Sequence, residues 1–156
     1  MFNEMLVMSS AGGGTLKDLF RNKVLNGGLT NIATLTVYDS RISISESGVV
    51  ADKTNHTLYV YVDFVVNGNY GQSSDWAGLA GITNVSGEDM RNYIPRGTQG
   101  GHNSNICLIT DESSDNPTNL FIFGDISTTY PNRFFIPYGV YITTGQHYIV
   151  YGAYTY

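Results

Sequence analysis

Cysteine is nearly absent. Cys107 is the single one among 156 residues, so no internal disulfide can form and oxidation contributes nothing to stability. The chain must hold together by burial. At this length it can bury most of its apolar surface around one core without disulfide or metal staples, and folding in a reducing cytoplasm fits. Charge is scarce too: Asp, Glu, Lys and Arg make up 13% of the chain, about half the ~25% usual for soluble domains. The net charge is −5 and no run of Lys or Arg occurs. That argues against a nucleic-acid binder, which needs a basic stripe along the phosphates, and disfavours an anionic membrane surface. Long hydrophobic runs are also missing. Met1-Phe2-Asn3-Glu4-Met5-Leu6 lacks the basic start and apolar stretch of a secretory signal, and the apolar segment Leu58–Val66 is interrupted at Asp63. The expectation is a soluble, unexported chain with no membrane insertion.

Aromatics are abundant, at 13% with 12 tyrosines, so tyrosine and uncharged polar residues must form much of the surface. Gly12-Gly13-Gly14 has the permissive residues of a hinge. After it, Thr15 with Asp18 three residues on resembles a capping box, Leu16, Leu19, Phe20, Lys23 and Val24 fall at helical spacing, and Asn26-Gly27-Gly28 supplies a stop. This predicts one short helix over Leu16–Leu25. From Leu29 the period becomes two, most clearly in Leu58–Val66, where Leu58, Val60, Val62, Phe64 and Val66 share a face that belongs in a core. The other face, Tyr59, Tyr61, Asp63 and Val65, is too apolar for full solvation and calls for cover by a loop or another subunit. Further strands are expected at Thr34–Val37, Arg41–Ser45, Gly78–Ile82, Asn105–Thr110, Leu120–Ile126, Phe134–Thr143 and Gln146–Thr155, separated by turn clusters such as Asn67-Gly68-Asn69. The fold expected is all-β, an antiparallel β-sandwich or jelly roll with one short N-terminal helix. Its organisation reads as residues 1–28, a leader, hinge and helix that anchor or assemble, followed by a β-domain over 29–156. Exposed loops should concentrate in Asn67–Ser104.

Several constellations could carry chemistry. The triple glycine before a helix evokes a phosphate loop, but G-x-x-x-x-G-K-[ST] is absent and a linker explains it better. Cys107 with His56, His102 or His147 could form a nucleophile and base, yet Cys107 lies in the apolar run Asn105–Ile109, where a thiol serves as a small core residue. The histidines show no metal-ligand spacing, and no cofactor is expected. Asp111, Glu112 and Asp115 raise a glycosidase pair or a calcium loop; a hydrophilic hairpin tip explains them without function. Asn55-His56-Thr57 and Asn84-Val85-Ser86 match the glycosylation sequon by chance in a chain without a signal.

The more promising set lies in the loop-rich middle: Tyr70, Asp75, Trp76, Arg91, Tyr93 and Arg96, with Asn92 and His102 nearby. Sugar rings present C–H faces that stack on aromatic planes, and their hydroxyls pair with carboxylates, amides and guanidiniums, so this is a kit for a saccharide. Trp76 serves equally well as a core tryptophan at the start of a strand.

The succession of Leu58–Phe64, a variable loop, Ile94-Pro95-Arg96-Gly97, Ile106–Thr110, Gly124-Asp125-Ile126 and Gly139-Val140-Tyr141-Ile142-Thr143 resembles the C-terminal module of tail-fibre and receptor-binding proteins of bacteriophages. The tyrosine-rich end Tyr148–Tyr156 is in the same style. The likeness covers a little over half the chain. It implies a non-enzymatic virion protein made in a bacterial cytoplasm, a β-sandwich head, a homotrimer, attachment to a host-surface glycan and contact with other virion proteins through the N-terminal segment. A purely architectural virion subunit, such as a head fibre, collar or decoration protein, is the competing expectation.

Overall fold

A computed structural model describes residues 14–37, 39–71, 77–93, 104–107, 109–112, 122–125, 133–136 and 141–156. The helix forms where the capping pattern puts it. Helix α1 spans Leu16–Asn26. The Thr15 hydroxyl accepts from the Asp18 N–H at 3.4 Å, and the Asp18 carboxylate accepts from the Thr15 N–H at 3.1 Å, which satisfies two of the backbone donors that a helix start leaves open. Gly27 and Gly28 end it: Gly28 takes the left-handed φ of 67°, a conformation that costs glycine nothing. No helix among the described residues is long and apolar enough to cross a membrane.

The strands are β1 (Thr30–Val37), β2 (Ile42–Asp52), β3 (Thr57–Val66), β4 (Tyr70–Gly71), β5 (Ala77–Asn84), β6 (Ser104–Cys107), β7 (Ile109–Glu112), β8 (Ile122–Asp125), β9 (Arg133–Ile136), β10 (Tyr141–Ile142) and β11 (His147–Thr155), with a 3-10 turn at Met90–Asn92. Every pairing is antiparallel. One sheet runs β6-β8-β9-β5-β1-β2-β3-β11-β7, and β10 with β4 makes a separate ribbon. Among the described residues the protein is therefore all-β with one short α-helix.

The sheet cannot be flat. Nine strands side by side would separate the end members by roughly 38 Å, yet Cys107 of β6 and Ile109 of β7 at the two ends are two residues apart, a reach of about 7 Å. Likewise Phe64 of β3 and Phe134 of β9, four strands apart, meet edge to face at 5.8 Å. The sheet rolls until its inner face closes on itself. Among the described residues the strands pair in this nine-stranded sheet and the two-stranded ribbon, and the faces that meet belong to the larger sheet. Inside lie Leu58, Val60, Val62, Phe64 and Val66, all 0 to 1% exposed, with Ile32, Leu79, Met90, Tyr148 and Val150. Irregular steps in register at Ile32, Ser45 and Leu79 are β-bulges, devices that raise local twist and curvature.

The outer face of β2, β3 and β11 is covered by α1. Phe20 and Val24 pack with Val50, Tyr61 and Tyr151 in a second cluster, with Leu16, Tyr59 and Ile149 at its margin. The Phe20 ring lies 5.9 Å from that of Tyr59 and 5.1 Å from that of Tyr151. Thus the half-apolar face of β3 finds its cover at Tyr59 and Tyr61 in the chain's own helix. Gly48 makes the seat: a Cβ there would stand 2.5 Å from the Val24 Cγ1. Asp111 and Glu112, read from the sequence as a hairpin tip, lie in β7, with Asp111 opposite Ile149 and Glu112 opposite Tyr148. The Asn67–Ser104 stretch holds β4, β5 and the 3-10 turn as well as loops.

Candidate functional site

One end of the sheet is built from three turns that grip one another. Between β1 and β2, Ile42 N–H donates to the Asp39 carbonyl at 3.2 Å, and the Asp39 carboxylate accepts from the Arg41 N–H at 3.0 Å, the local bond that makes Asp a turn former. After β3, Asn67 N–H and Gly68 N–H both donate to the Arg41 carbonyl. Before β11, Gly145, at φ 89°, donates to the Val66 carbonyl at 2.8 Å. Asn69 Oδ1 accepts from the Thr144 N–H at 2.9 Å and from its hydroxyl at 3.2 Å. Gln146 Oε1 accepts from the Thr143 N–H and the Tyr148 hydroxyl, each at 2.6 Å.

On this frame Arg41 is held flat. Its Nε and Nη2 donate to the two oxygens of Asp39 at 2.9 and 2.7 Å, while the guanidinium stacks 3.6 Å from the centroid of the Tyr70 ring. Tyr70 is in turn fixed by its hydroxyl, which donates to the Gly78 carbonyl at 3.1 Å. The Arg41 guanidinium holds the Asp39 carboxyl below the usual carboxylate range, so the pair stays ionised. The side chain of Arg41 is 45% exposed, and its Nη1 has no partner among the described residues. Asn67 Nδ2 donates to the Ser43 hydroxyl at 2.6 Å. The result is a rigid, solvent-facing patch of one compensated guanidinium and several amides, the donor and acceptor chemistry that recognises hydroxyl-rich ligands.

Of the residues read from the sequence as a saccharide kit, Tyr70 lies in this patch. Tyr93 does not. It is 6% exposed, its hydroxyl donates to Glu88 Oε2 at 2.5 Å, and its ring meets that of Tyr156 edge-on at 4.8 Å. Glu88 also accepts from Lys53 Nζ at 2.7 Å, just past the far end of β2, whereas Arg41 precedes its start. Tyr70 and Tyr93 are thus about 30 Å apart along an eleven-residue strand, and a common pocket for both is ruled out. A buried ring with a satisfied hydroxyl cannot be a stacking platform. Arg91 belongs to the 3-10 turn, with its side chain outside the described residues. Asp75, Trp76 and Arg96 also lie outside them. Arg41 and Asp39 were missed, because the sequence placed Arg41 at the head of a strand; the local signal was Asp followed two residues later by Arg in a turn.

A second polar group lies on the outer face. Glu46 and Asp63 stand directly opposite across β2 and β3, a like-charge pairing that destabilises unless it is compensated. Arg21 of α1 forks onto Glu46, with Nε at 2.6 Å, and this lowers the glutamate's pKa. His147 Nε2 lies 2.8 Å from Asp63 Oδ1, which also accepts from the Ser45 hydroxyl at 2.6 Å. Serine, aspartate and histidine thus meet with the carboxylate in the middle. A nucleophilic serine needs the imidazole as its neighbour, so this trio ties strands together. Among the described residues no three His, Cys, Asp or Glu side chains are placed to hold a metal ion.

No family model, curated protein or solved structure matches the chain.

Proposed function

We propose that this chain is a non-enzymatic subunit of a bacteriophage fibre or receptor-binding assembly, forming a homotrimer and holding a host-surface saccharide at the turn end that carries Arg41 and Tyr70. The observation that supports this most is the guanidinium locked between Asp39 and the Tyr70 ring, with the exposed residues Asn67 and Asn69 in the adjoining turn. Such a platform is preorganised: its side chains are already ordered, so binding a sugar forfeits little side-chain entropy. The likeness of Leu58–Thr143 to phage receptor-binding modules supplies the setting.

A glycan array and a whole-cell binding assay test the reading with Tyr70→Ala and Arg41→Ala against wild type. Each variant is expected to weaken binding by about 1–3 kcal/mol, the scale of one buried side-chain contact. Light scattering is expected to give a particle near three times the 17.1 kDa chain, and a monomer at micromolar concentration counts against assembly. The architectural alternative is favoured by Val65 and Tyr141, which stay 39% and 58% exposed and would be covered by a neighbouring subunit. If wild type binds no glycan or cell, that alternative takes first place.

A further inference from the structure

We infer that the ligand of the Arg41 platform is a neutral saccharide, held through a pair of adjacent hydroxyls, and not an acidic glycan. The inference rests on the saccharide-binding reading above and adds to it the charge of the ligand.

A guanidinium recognises a carboxylate or sulfate through parallel N–H bonds from one edge together with a charge left uncompensated. At Arg41 both conditions are altered. The edge formed by Nε and Nη2 is already filled by the two oxygens of Asp39. The remaining donors, on Nη1 and the outer side of Nη2, belong to a cation whose charge Asp39 cancels at less than 3 Å. The other described side chains that tie these turns together, Ser43, Asn67, Asn69, Thr144 and Gln146, carry no charge. An arriving anion would meet Asp39 across the same guanidinium, on a chain of net charge −5, with no second cation in these turns to offset the repulsion.

A hydroxyl makes no such demand, because it accepts and donates at once. One hydroxyl of a vicinal pair accepts from Arg41 Nη1, and its neighbour donates to an acceptor such as Asn67 Oδ1, whose own amide nitrogen is committed to Ser43. The stack on Tyr70 and the tie of Asn69 to Thr144 keep these groups in place before the ligand arrives. Asp39 therefore acts as the specificity determinant: it sets the charge of the platform.

The test uses the full chain on an array carrying neutral oligosaccharides beside uronate-, sialate- and sulfate-bearing ones, with calorimetry on the best ligand found. Neutral saccharides are expected to bind, with affinity changing less than about twofold between roughly 50 and 500 mM NaCl, since no net ligand charge is screened. Arg41→Lys keeps the charge and the apolar stem but loses the flat fork, and is expected to weaken neutral binding about tenfold or more. Asp39→Asn uncovers the cation and is expected to bring in acidic oligosaccharides that wild type refuses. Circular dichroism on both variants separates lost binding from lost folding. Salt-sensitive binding of acidic glycans by wild type overturns the inference and leaves the saccharide reading standing. Neutral binding indifferent to both substitutions removes the site from Arg41. Binding of no saccharide overturns the inference and the proposed function together.

Discussion

Replacing Gly48 by alanine adds one methyl group at the point where α1 meets β2. The new Cβ would lie 2.5 Å from Val24 Cγ1 and 3.7 Å from Leu25 Cδ2. Apolar carbons settle at about 3.5–4.0 Å, so Val24 must retreat by roughly an ångström. It cannot do so by turning, because valine in a helix is confined to essentially one χ1 rotamer; nor is there slack around it, since Val24 and Phe20 are 7% and 4% exposed. The helix itself has to lift, loosening Phe20 from Tyr59 and Tyr151. Overpacking of this kind costs about 1–3 kcal/mol. The stiffer unfolded chain returns about 0.4–1 kcal/mol, which leaves a net loss near 1–2 kcal/mol and a Tm lower by roughly 2–8 °C at this chain length. Thermal and urea unfolding of Gly48→Ala, Val24→Ala and the double variant form a cycle. Removing the Val24 methyls makes room for the added one, so the double variant is expected to be more stable than additivity allows by about 1 kcal/mol. A Gly48→Ala protein as stable as wild type, with additive behaviour in the cycle, would refute the seating of the helix on this glycine.

Two other expectations follow from the charged and aromatic groups. Glu88 is held below the ordinary glutamate range, first by its bond to Lys53 and then by the Tyr93 hydroxyl; a folded-state pKa below the unfolded one gives stability that is complete above the carboxylate range and lost as pH falls through it. Denaturation midpoints should therefore drop from about pH 5 towards pH 3, more shallowly in Glu88→Gln, and a variant as acid-sensitive as wild type would contradict the pairing. Tyr93→Phe, which keeps the buried ring and loses the bond to Glu88, should lower stability by about 0.5–1.5 kcal/mol and leave saccharide binding unchanged, whereas a binding loss without destabilisation would return Tyr93 to the site.

Local pattern determined the local structure. The alternation from Leu58 to Val66 named the five inward residues that are now 0 to 1% exposed, because the strand period of two is a property of neighbouring residues. Thr15, Asp18 and Gly28 likewise marked the ends of α1 through bonds and dihedrals that span only a few positions. Leu19 was placed on the helix's apolar face by spacing, yet it remains 37% exposed, since the width of the buried stripe depends on the surface beneath it. That surface was invisible in sequence. Nothing local relates Val24 to Gly48, or shows that the apolar outer face of β3 is matched by a helix more than thirty residues earlier.

The same division separates the candidate site from its sequence outline. Tyr70 and Tyr93 are near each other along the chain, in a segment rich in polar turns, and proximity in sequence grouped them. Strand β5 and the pairing of β1 with β2 carry the intervening chain to the other end of the sheet, where burial and Glu88 claim the Tyr93 ring. Conversely Asp39, Arg41, Asn69 and Thr144 are scattered over a hundred positions and meet only because β2, β3 and β11 are neighbours in register. Composition and periodicity settled that this chain builds antiparallel strands and a capped helix at Leu16–Asn26. Which strands adjoin, how far the sheet rolls and which side chains share a surface were decided by tertiary structure, because those outcomes depend on pairing energies between segments distant in sequence, to which a local pattern of side chains carries no reference.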